Sequence, residues 1–298
     1  MANEMTAHKI TKGDPSKRRR HPLRKTIIPI LRHAALILVT VIFLVPLYWM
    51  VISSLKENNM VFSNPIVWFP NPIRLQNYPD AFNYPGFPFL KFLRNSIFYA
   101  GGVTIGTVIS CSLAGYSFAR LRFPGRDLIF TLTLGSMMIP GIVTFIPVFI
   151  IFKQFGWLGS YKPLIIPAFF GNAFFIFMMR QFFAAMPEEL ADAARVDGAG
   201  EFMIFWRIML PLVRPALIVM AVFTFLWTWH EFFGPLIYLS QQGQYPLSLG
   251  LYAFRSRRTT EWALTMAGAM LSTFPLVILF FFAQRYFLEG IKMTGLKG

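Results

Sequence analysis

Few residues of this chain could carry chemistry. The four histidines stand at no spacing that would bring two of them onto one metal ion, so the sequence predicts no metal site. The terminal segment GIKMTGLKG, residues 290–298, carries glycines and a lysine, as a phosphate-binding loop does. Its lysine comes one residue late, however, and no helix follows to direct its N-terminus at a phosphate. We therefore expect a chain that is not an enzyme, with no catalytic residue and no cofactor of its own.

Glu231 is the acidic residue that lies most clearly inside an apolar run, next to His230. An ionisable residue at membrane depth marks a functional position by default. A hydrogen bond between packed helices, or a position already at the membrane interface, would account for it equally well. With so few charges in the apolar runs, a proton relay is hard to assemble.

A further candidate is the segment LADAARVDGAGEFMIFWRIMLP, residues 190–211, which interrupts the apolar pattern. Pro187 and the two glutamates after it favour a helix start, because proline tolerates the first turn and carboxylates stabilise the positive end of the helix dipole. This helix is expected to run to about Val196, where Asp197-Gly198 breaks it, since glycine adopts positive φ freely. Its small side chains, which would let another surface approach the backbone, are Ala191, Ala193 and Ala194.

A second helix is expected after this break. Its apolar residues recur at i, i+3, i+4 and i+7, the spacing of one helical face, and Pro211 would end it. These apolar residues are Phe202, Phe205, Trp206 and Met209. The pattern predicts a helix-turn-helix over residues 187–211, with an apolar face that could dock to another protein. An amphipathic helix lying among lipid headgroups would show the same periodicity.

The elements that position this helix-turn-helix are predicted to be membrane-spanning helices. Of the 298 residues, 55% are hydrophobic and only 14% are charged, and the mean hydropathy is +0.54. A soluble domain has about 25% charged residues, whereas a spanning helix needs about 20 mostly apolar ones. The segments that meet this length are residues 34–53, 95–119, 128–152, 163–183, 216–239 and 262–282. We therefore predict an all-α integral membrane protein with six transmembrane helices.

The distribution of basic residues predicts the orientation of these spans. The net charge of +15 would suggest nucleic acid in a soluble protein, but membrane topology explains it here, so no nucleic-acid partner is expected. With both termini in the cytoplasm, 19 of the 28 basic residues fall on the cytoplasmic side, together with the helix-turn-helix. The basic cluster that disagrees with this orientation consists of Arg255, Arg257 and Arg258.

The chain is expected to divide into three parts. Residues 1–25 are basic, with KRRR at 17–20, and are expected to be disordered against anionic lipid headgroups. Residues 26–290 would form the transmembrane domain, with an external loop at 54–94 whose six prolines exclude a long helix. Residues 291–298 would be a cytoplasmic tail.

Glycines and prolines inside the predicted spans indicate close packing and breaks. Gly102 and Gly106 stand four apart in the second span, which allows another helix to approach closely. Pro140 and Pro147 in the third span and Gly171 in the fourth would interrupt helices, and the freed backbone groups must then face protein or water. We expect a cavity along the axis of the bundle.

The helix-turn-helix resembles the EAA loop of ABC importer permeases. That loop has Glu-Ala-Ala, three residues, Gly, nine residues and then Ile-x-Leu-Pro. This chain has Asp192-Ala193-Ala194, three residues, Gly198, nine residues and Ile208-Met209-Leu210-Pro211, so only Asp192 in place of Glu departs from the pattern. A resemblance to the carbohydrate-uptake branch, which is similar to the maltose permease G protein, rests on SLKE at 54–57, LQNY at 75–78, YSFARLRFPGRD at 116–127 and the terminal GLKG.

The resemblance implies an assembly in the cytoplasmic membrane of a bacterium or archaeon. Its other members would be a second homologous permease subunit, two ATPase subunits that hold ATP and Mg²⁺, and an extracytoplasmic solute-binding protein. The EAA loop would fit a cleft in one ATPase subunit, and the external loop at 54–94 would receive the binding protein. The implied ATPase-docking residues are Glu189, Asp192, Ala193, Ala194, Asp197, Gly198, Ala199, Ile208, Leu210 and Pro211.

The resemblance also marks candidates for the solute path. Family members commonly carry Trp-Asn-Glu-Phe in the fifth span, where this chain has Trp229-His230-Glu231-Phe232. A sugar or oligosaccharide is favoured, with glycerol phosphate or a polyol as the alternative. The predicted spans offer almost no basic residues to an anion, which favours a neutral solute, although a partner subunit could supply them. A secondary transporter would need acidic groups for ion coupling, and a membrane enzyme would need a catalytic constellation; both are disfavoured here.

Overall fold

The computed structural model describes residues 22–255 and 260–295, and within these ranges every regular element is helical. The α-helices are α1 (Pro22–Ser54), α2 (Asn77–Phe82), α3 (Phe89–Arg120), α4 (Arg126–Ser136), α5 (Gly141–Gln154), α6 (Lys162–Ile165), α7 (Ala173–Ala184), α8 (Glu189–Val196), α9 (Glu201–Ile204), α10 (Leu210–Leu212), α11 (Arg214–His230), α12 (Phe233–Tyr238), α13 (Leu247–Gly250) and α14 (Trp262–Gly295). Short 3₁₀ turns lie at Asn58–Met60, Ile166–Phe170, Gln242–Gln244 and Leu251–Phe254, and a π-helical turn lies at Phe205–Met209. The all-α prediction is confirmed.

Four helical stretches in the described ranges are long and apolar enough to cross a membrane, and two bent pairs would bring the number to six. The four stretches are Ile27–Ser54, Phe89–Arg120, Lys162–Ala184 and Trp262–Arg285, and they correspond to predicted spans one, two, four and six. The bent pairs are Arg126–Ser136 with Gly141–Gln154, at 100°, and Glu201–Leu212 with Arg214–His230, at 80°. The prediction of six spans therefore holds only if each bent pair counts as one.

The third predicted span, residues 128–152, is not one straight helix. α4 ends at Ser136 and α5 begins at Gly141, and their axes differ by 100°. Pro140 explains the break, because it has no backbone N–H to donate and disfavours helical geometry in the residue before it. Pro147, which we also expected to interrupt a helix, lies inside α5 without ending it.

The fifth predicted span, residues 216–239, was wrong in its extent. α11 ends at His230, and Glu231 takes an extended backbone conformation with φ −64° and ψ 122° before the short α12 begins. α11 has 17 residues, or about 26 Å at 1.5 Å per residue, which is close to the lower limit for a spanning helix.

The chain divides into two compact units between Trp49 and Met50. The described part of the first unit is residues 22–49, all of which belong to α1. The second unit is organised around α3, which packs along α7 and α11. Two glycines of α3 make these contacts close. A Cβ on Gly115 would lie 2.6 Å from the Cβ of Met179 in α7, and a Cβ on Gly106 would lie 2.7 Å from the ring of Phe169, so the close approach predicted at Gly106 is confirmed.

The N-terminal end of α3 is held by polar contacts to the segment before α13 and to Leu247, the first residue of α13. The side-chain amide of Asn95 donates to the carbonyls of Gly243 and Tyr245, each at 3.0 Å. The hydroxyl of Ser96 accepts from the backbone N–H of Leu247 at 2.7 Å. These contacts join α3 to a part of the chain that lies about 150 residues later in the sequence.

The proline-rich loop, residues 54–94, forms a structured lobe with little helix, as predicted. Before α3 begins, the lobe contains only one 3₁₀ turn and the six-residue α2. Asn77 holds it together, since its buried side-chain amide donates to the carbonyls of Ser54 at 2.9 Å and Lys56 at 2.7 Å.

Several predictions concern residues outside the described ranges. The basic segment, residues 1–25, lies there except for 22–25, whose backbone begins α1. Arg257 and Arg258 also lie outside, as do the last three residues of the tail at 291–298. The backbone of α14 is helical as far as Gly295, so the helix extends further toward the end of the chain than we expected.

Candidate functional site

The first helix of the helix-turn-helix forms as predicted. α8 covers Glu189–Val196, Asp197 caps its C-terminus, and Gly198 has φ +83°. In this left-handed conformation the Ala199 N–H donates to the Ala194 carbonyl at 2.9 Å, which closes the end of the helix. A residue with a side chain is strained at this φ, so the turn favours glycine at position 198.

The alanines of α8 divide between two faces. Ala191 and Ala194 are buried in the protein's own core, whereas Ala193 is exposed. Ala194 therefore holds α8 against the rest of the chain, and its side chain is not available for the docking that the sequence suggested. The exposed members of the predicted docking set in α8 and the turn are Glu189, Asp192, Ala193, Asp197 and Gly198.

The second helix does not have the regular apolar stripe that the sequence predicted. It contains the π turn Phe205–Met209, in which each turn holds more residues than an α turn, so the predicted spacing no longer places all four side chains on one face. Phe205 and Met209 are buried, whereas Phe202 is 71% and Trp206 60% exposed.

The later residues of the predicted docking set are only partly accessible. Ala199, Ile208 and Leu210 are half-buried and pack against the protein's own core, while Pro211 is exposed. Pro211 was expected to end the second helix but lies within α10, which continues to Leu212. Proline is tolerated there because the π turn directly before it already departs from the α-helical hydrogen-bond pattern that proline would break.

Large apolar side chains next to the turn remain uncovered by this chain. Val196 is 88% exposed, Phe202 71%, Trp206 60% and Met203 47%. We name these four residues the uncovered surface. Neighbouring apolar side chains that a folded chain leaves exposed are typical of a site that contacts a partner or a membrane.

Charged groups tie the two halves of the helix-turn-helix together. Arg195 of α8 donates to Asp192 at 2.6 Å and to Glu201, the first residue of α9, at 2.8 Å. The hydroxyl of Tyr116 in α3 donates to the other oxygen of Glu201 at 2.9 Å. The hydrogen bond from Arg195 holds the pKa of Glu201 below its ordinary value, and the same bond raises the pKa of Arg195. Glu201 is therefore ionised at neutral pH.

A second polar contact fixes the chain that leads into the helix-turn-helix. Arg120, the last residue of α3, donates to the Phe183 carbonyl at 2.7 and 3.1 Å and also to the Met186 carbonyl. Beside these groups lies a cavity of about 460 Å³. Its lining includes Arg120, Arg122, Glu188, Asp192, Arg195 and Glu201.

The four residues predicted for the solute path do not converge on one site. Trp229 is buried, and its indole N–H donates to a carbonyl of α14 at 3.2 Å. The carboxylate of Glu231 accepts from the Gly234 N–H at 2.9 and 3.0 Å, so it supports the turn between α11 and α12. His230 and Phe232 are exposed. Two of the four side chains are thus occupied within the fold.

Most of the second unit matches a known protein family. Residues 102–293 match the family of the binding-protein-dependent transport system inner membrane component, which includes most of α3, all of α7 and α11, and the whole helix-turn-helix. The chain belongs to this family. It is a membrane permease subunit of an ABC importer and is not itself an enzyme.

Relatives resemble the permease over nearly their whole length. It is 31% identical over 255 residues to AraQ of Halalkalibacterium halodurans, an arabinooligosaccharides transport system permease protein, with 85% of this chain and 91% of that one covered. It is 31% identical over 265 residues to UgpE of Yersinia pestis, an sn-glycerol-3-phosphate transport system permease protein, with 87% and 94% covered.

A solved structure shares the fold of the permease. It is a bacterial ABC transporter involved in the import of the acidic polysaccharide alginate, and the similarity has a TM-score of 0.77 at 22% sequence identity. The matched region covers 88% of the permease and 96% of that chain.

Some candidate functional residues of the permease could not be predicted from the sequence. Tyr116 and Glu201 stand 85 residues apart, so their contact appears only in the folded chain. Phe223 and Trp227 were also missed; they are exposed on α11 and share one helical face with the predicted candidate His230, at i, i+4 and i+7. This spacing is visible in the sequence, but an apolar run does not reveal which of its faces the rest of the protein covers.

The described part of the permease has no group of three or more His, Cys, Asp or Glu side chains that could hold a metal ion. Its polar clusters consist instead of ion pairs and hydrogen bonds that hold helices together.

Proposed function

We propose that this permease carries a sugar or oligosaccharide through a path that it forms with a second homologous permease subunit. Two ATPase subunits would hold ATP and Mg²⁺ and drive the cycle, and an extracytoplasmic binding protein would deliver the solute. The observation that carries the proposal is the uncovered surface, which projects from a helix-turn-helix that is itself fixed to the membrane helices.

Docking of an ATPase subunit would bury the uncovered surface. Its apolar centre, with Val196 88% exposed, is accompanied by the exposed polar residues Glu189, Asp192 and Asp197. An apolar centre with a charged rim is the usual composition of a protein interface. Ala193 and Gly198 add little bulk, so a partner can approach the backbone of α8 and its turn.

The orientation that suits this docking has both termini and the helix-turn-helix in the cytoplasm, and the proline-rich lobe outside the bacterial or archaeal inner membrane. The excess of basic residues in the segments assigned to the cytoplasm supports it. The lobe offers Trp68 and Phe69, which are 48% and 80% exposed, as contacts for the binding protein. Aromatic residues are common in protein interfaces.

A neutral sugar is the solute that the exposed face of α11 favours. Phe223 is 41% and Trp227 59% exposed on this face, and His230 follows one turn later. Aromatic faces pack against the C–H groups of sugar rings, and an imidazole can exchange hydrogen bonds with hydroxyl groups. The relative named for arabinooligosaccharide transport supports this class of solute.

Glycerol phosphate or a polyol is the alternative, and it has support from the relative named for sn-glycerol-3-phosphate transport. A phosphate would require positive charge in the path. Arg180 of α7 is engaged elsewhere, since its guanidinium lies 4.3 Å from the centre of the Phe130 ring and donates to the Phe118 carbonyl at 3.4 Å. An anionic solute would therefore depend on cations from the second permease subunit.

The test begins with purification of the tagged protein from its native membrane in mild detergent and mass spectrometry of the chains that accompany it. We expect a second permease subunit and an ATPase. The complex, reconstituted in liposomes with its binding protein, is then supplied with ATP and with arabinooligosaccharides, maltooligosaccharides or glycerol 3-phosphate. ATP-dependent uptake of a sugar supports the proposal. Uptake of glycerol 3-phosphate alone would select the alternative, and solute movement by this chain alone without ATP would refute both.

A further inference from the structure

We infer that Tyr116 is a positioning residue: its hydroxyl makes α3 follow the helix-turn-helix when the ATPase subunits move it. This inference deepens the proposed function and rests on it. The residue lies on a spanning helix and belongs to neither the predicted docking set nor the predicted solute path.

A single carboxylate joins three helices at this point. One oxygen of Glu201 in α9 accepts from Arg195 of α8 at 2.8 Å, and the other accepts from Tyr116 of α3 at 2.9 Å. Because each oxygen has its own donor, rotation of the carboxylate to improve one bond weakens the other. The position of α9 is thereby defined relative to both neighbouring helices.

The two bonds differ in their surroundings. The side chains of Arg195 and Glu201 are 35% and 43% exposed, so water screens their ion pair and its contribution to stability is small. Tyr116 is only 4% exposed. A hydrogen bond from a buried hydroxyl to an ionised carboxylate is stronger than one between neutral groups, and its direction is fixed by the packed ring.

The ring of Tyr116 supports this contact independently of the hydroxyl. Its centre lies 5.2 Å from that of Phe205 in the second helix and 5.5 Å from that of Phe183 in α7. The ring therefore supplies packing, and the hydroxyl supplies the link to the charged turn. This separation allows the link to be removed while the packing is kept.

α3 can carry the movement to the other end of the bundle. It has 32 residues, or about 48 Å at 1.5 Å per residue. Its first turns are bonded through Asn95 to the segment before α13 and through Ser96 to the first residue of α13. A displacement imposed at Tyr116 therefore reaches a distant part of the protein without an intervening flexible joint.

The test compares Tyr116→Phe with wild type in the complete importer, reconstituted with its ATPase subunits and binding protein. Solute uptake and ATP hydrolysis are measured on the same liposomes. Loss of a hydrogen bond to a charged group corresponds to about a tenfold or greater change in an equilibrium constant, so we expect the ATP hydrolysed per solute to rise about tenfold or more. The matched control is Ser117→Ala, which removes a hydroxyl that is bonded only within α3, to the Leu113 carbonyl at 2.9 Å. Its ratio should equal that of wild type.

Glu201→Gln provides a second variant, since it keeps the size of the side chain and removes its charge. We expect it to raise the ratio as well, and the double variant to be no worse than the more severe single one, because both changes break the same link. The amount of ATPase that co-purifies should stay unchanged in all variants.

Four outcomes would contradict the positioning role of Tyr116 or the proposed function. A wild-type ratio in Tyr116→Phe, or additive effects in the double variant, would overturn the inference. Loss of the ATPase subunits from both single variants would also overturn it, since Tyr116 would then serve assembly and not positioning. A wild-type complex without ATP-dependent uptake would refute the proposed function itself, which is a different outcome.

Discussion

At the scale of single residues, Gly198 determines the shape of the helix-turn-helix. Its φ of +83° is far from the value near −65° that proline requires, and its N–H donates to the Arg195 carbonyl at 3.0 Å. We expect Gly198→Pro to insert into the membrane normally and to lower ATP-driven uptake by about tenfold or more, because the turn that aligns the docking residues is lost. Uptake and membrane content are measured on the same preparation.

Gly200→Ala is the matched control for this change. Gly200 has φ −72°, and a Cβ there would meet no atom within 4 Å, so alanine fits without strain. Its uptake should equal that of wild type. If Gly198→Pro also transported normally, the helix-turn-helix would not be the element that couples ATP hydrolysis to transport.

The two neighbouring tryptophans of α11 should respond differently to substitution. Trp229→Phe removes the indole donor from a buried carbonyl, which costs about 1–3 kcal/mol, so we expect a lower melting temperature of the purified complex. Trp227 is 59% exposed, and Trp227→Phe should leave the melting temperature within error of wild type. Thermal unfolding followed by tryptophan fluorescence or loss of monodisperse protein measures both, and equal melting temperatures would contradict the structural role assigned to Trp229.

At the scale of helices, the contact between α3 and α7 depends on a missing side chain. A Cβ on Gly115 would lie 2.6 Å from the Cβ of Met179, so Gly115→Ala must push the two helices apart. We expect a loss of about 1–3 kcal/mol in stability, measured as the temperature at which half of the detergent-solubilised protein remains monodisperse. Gly101→Ala on the same helix is the control, because a Cβ there would meet no atom within 4 Å. An equal shift in both variants would mean that the contact is looser than described.

The sequence predicted the helices better than it predicted their breaks. Long apolar runs identified the four stretches that are long enough to cross a membrane and a part of each bent pair, because burial in lipid leaves little choice of residue type. Pro140 indicated the break between α4 and α5 but not its angle of 100°, and nothing in the apolar run indicated that α11 stops at His230. The π turn at Phe205–Met209 was missed for a related reason, because a regular i, i+4 pattern assumes a regular helix.

At the scale of the whole molecule, the uncovered surface should decide whether the importer assembles. Val196 is 88% exposed, so Val196→Asp costs the isolated permease little but places a charge where an apolar partner surface is expected. We expect the amount of ATPase that co-purifies to fall by about tenfold, while the amount of permease in the membrane is unchanged. The exposed Gln241 lies outside this surface and outside the spanning helices, so Gln241→Glu adds the same charge and should leave the recovery of ATPase unchanged. Normal recovery of ATPase with Val196→Asp would contradict the docking role.

The family could be predicted from the sequence because the helix-turn-helix has a characteristic spacing within 22 residues, 190–211. The arrangement of the solute path did not follow, because it depends on which faces of the apolar helices remain uncovered. Trp229 and Glu231 stand beside His230 in the sequence, yet their side chains are held inside the fold. The Tyr116–Glu201 contact could not be predicted either, since nothing in the sequence around either residue indicates a partner 85 positions away.

Because Asn95 of α3 is hydrogen-bonded to the segment before α13, a fluorescent label on that segment should respond when α3 moves. Gln241 is exposed and lies two residues before Gly243, whose carbonyl is bonded to α3. Cys111 is the only cysteine of the chain and is buried, so a fluorophore attached through Gln241→Cys would occupy a single defined position on this subunit. Such a label would report, in real time, nucleotide-driven events at the opposite end of a helix about 48 Å long.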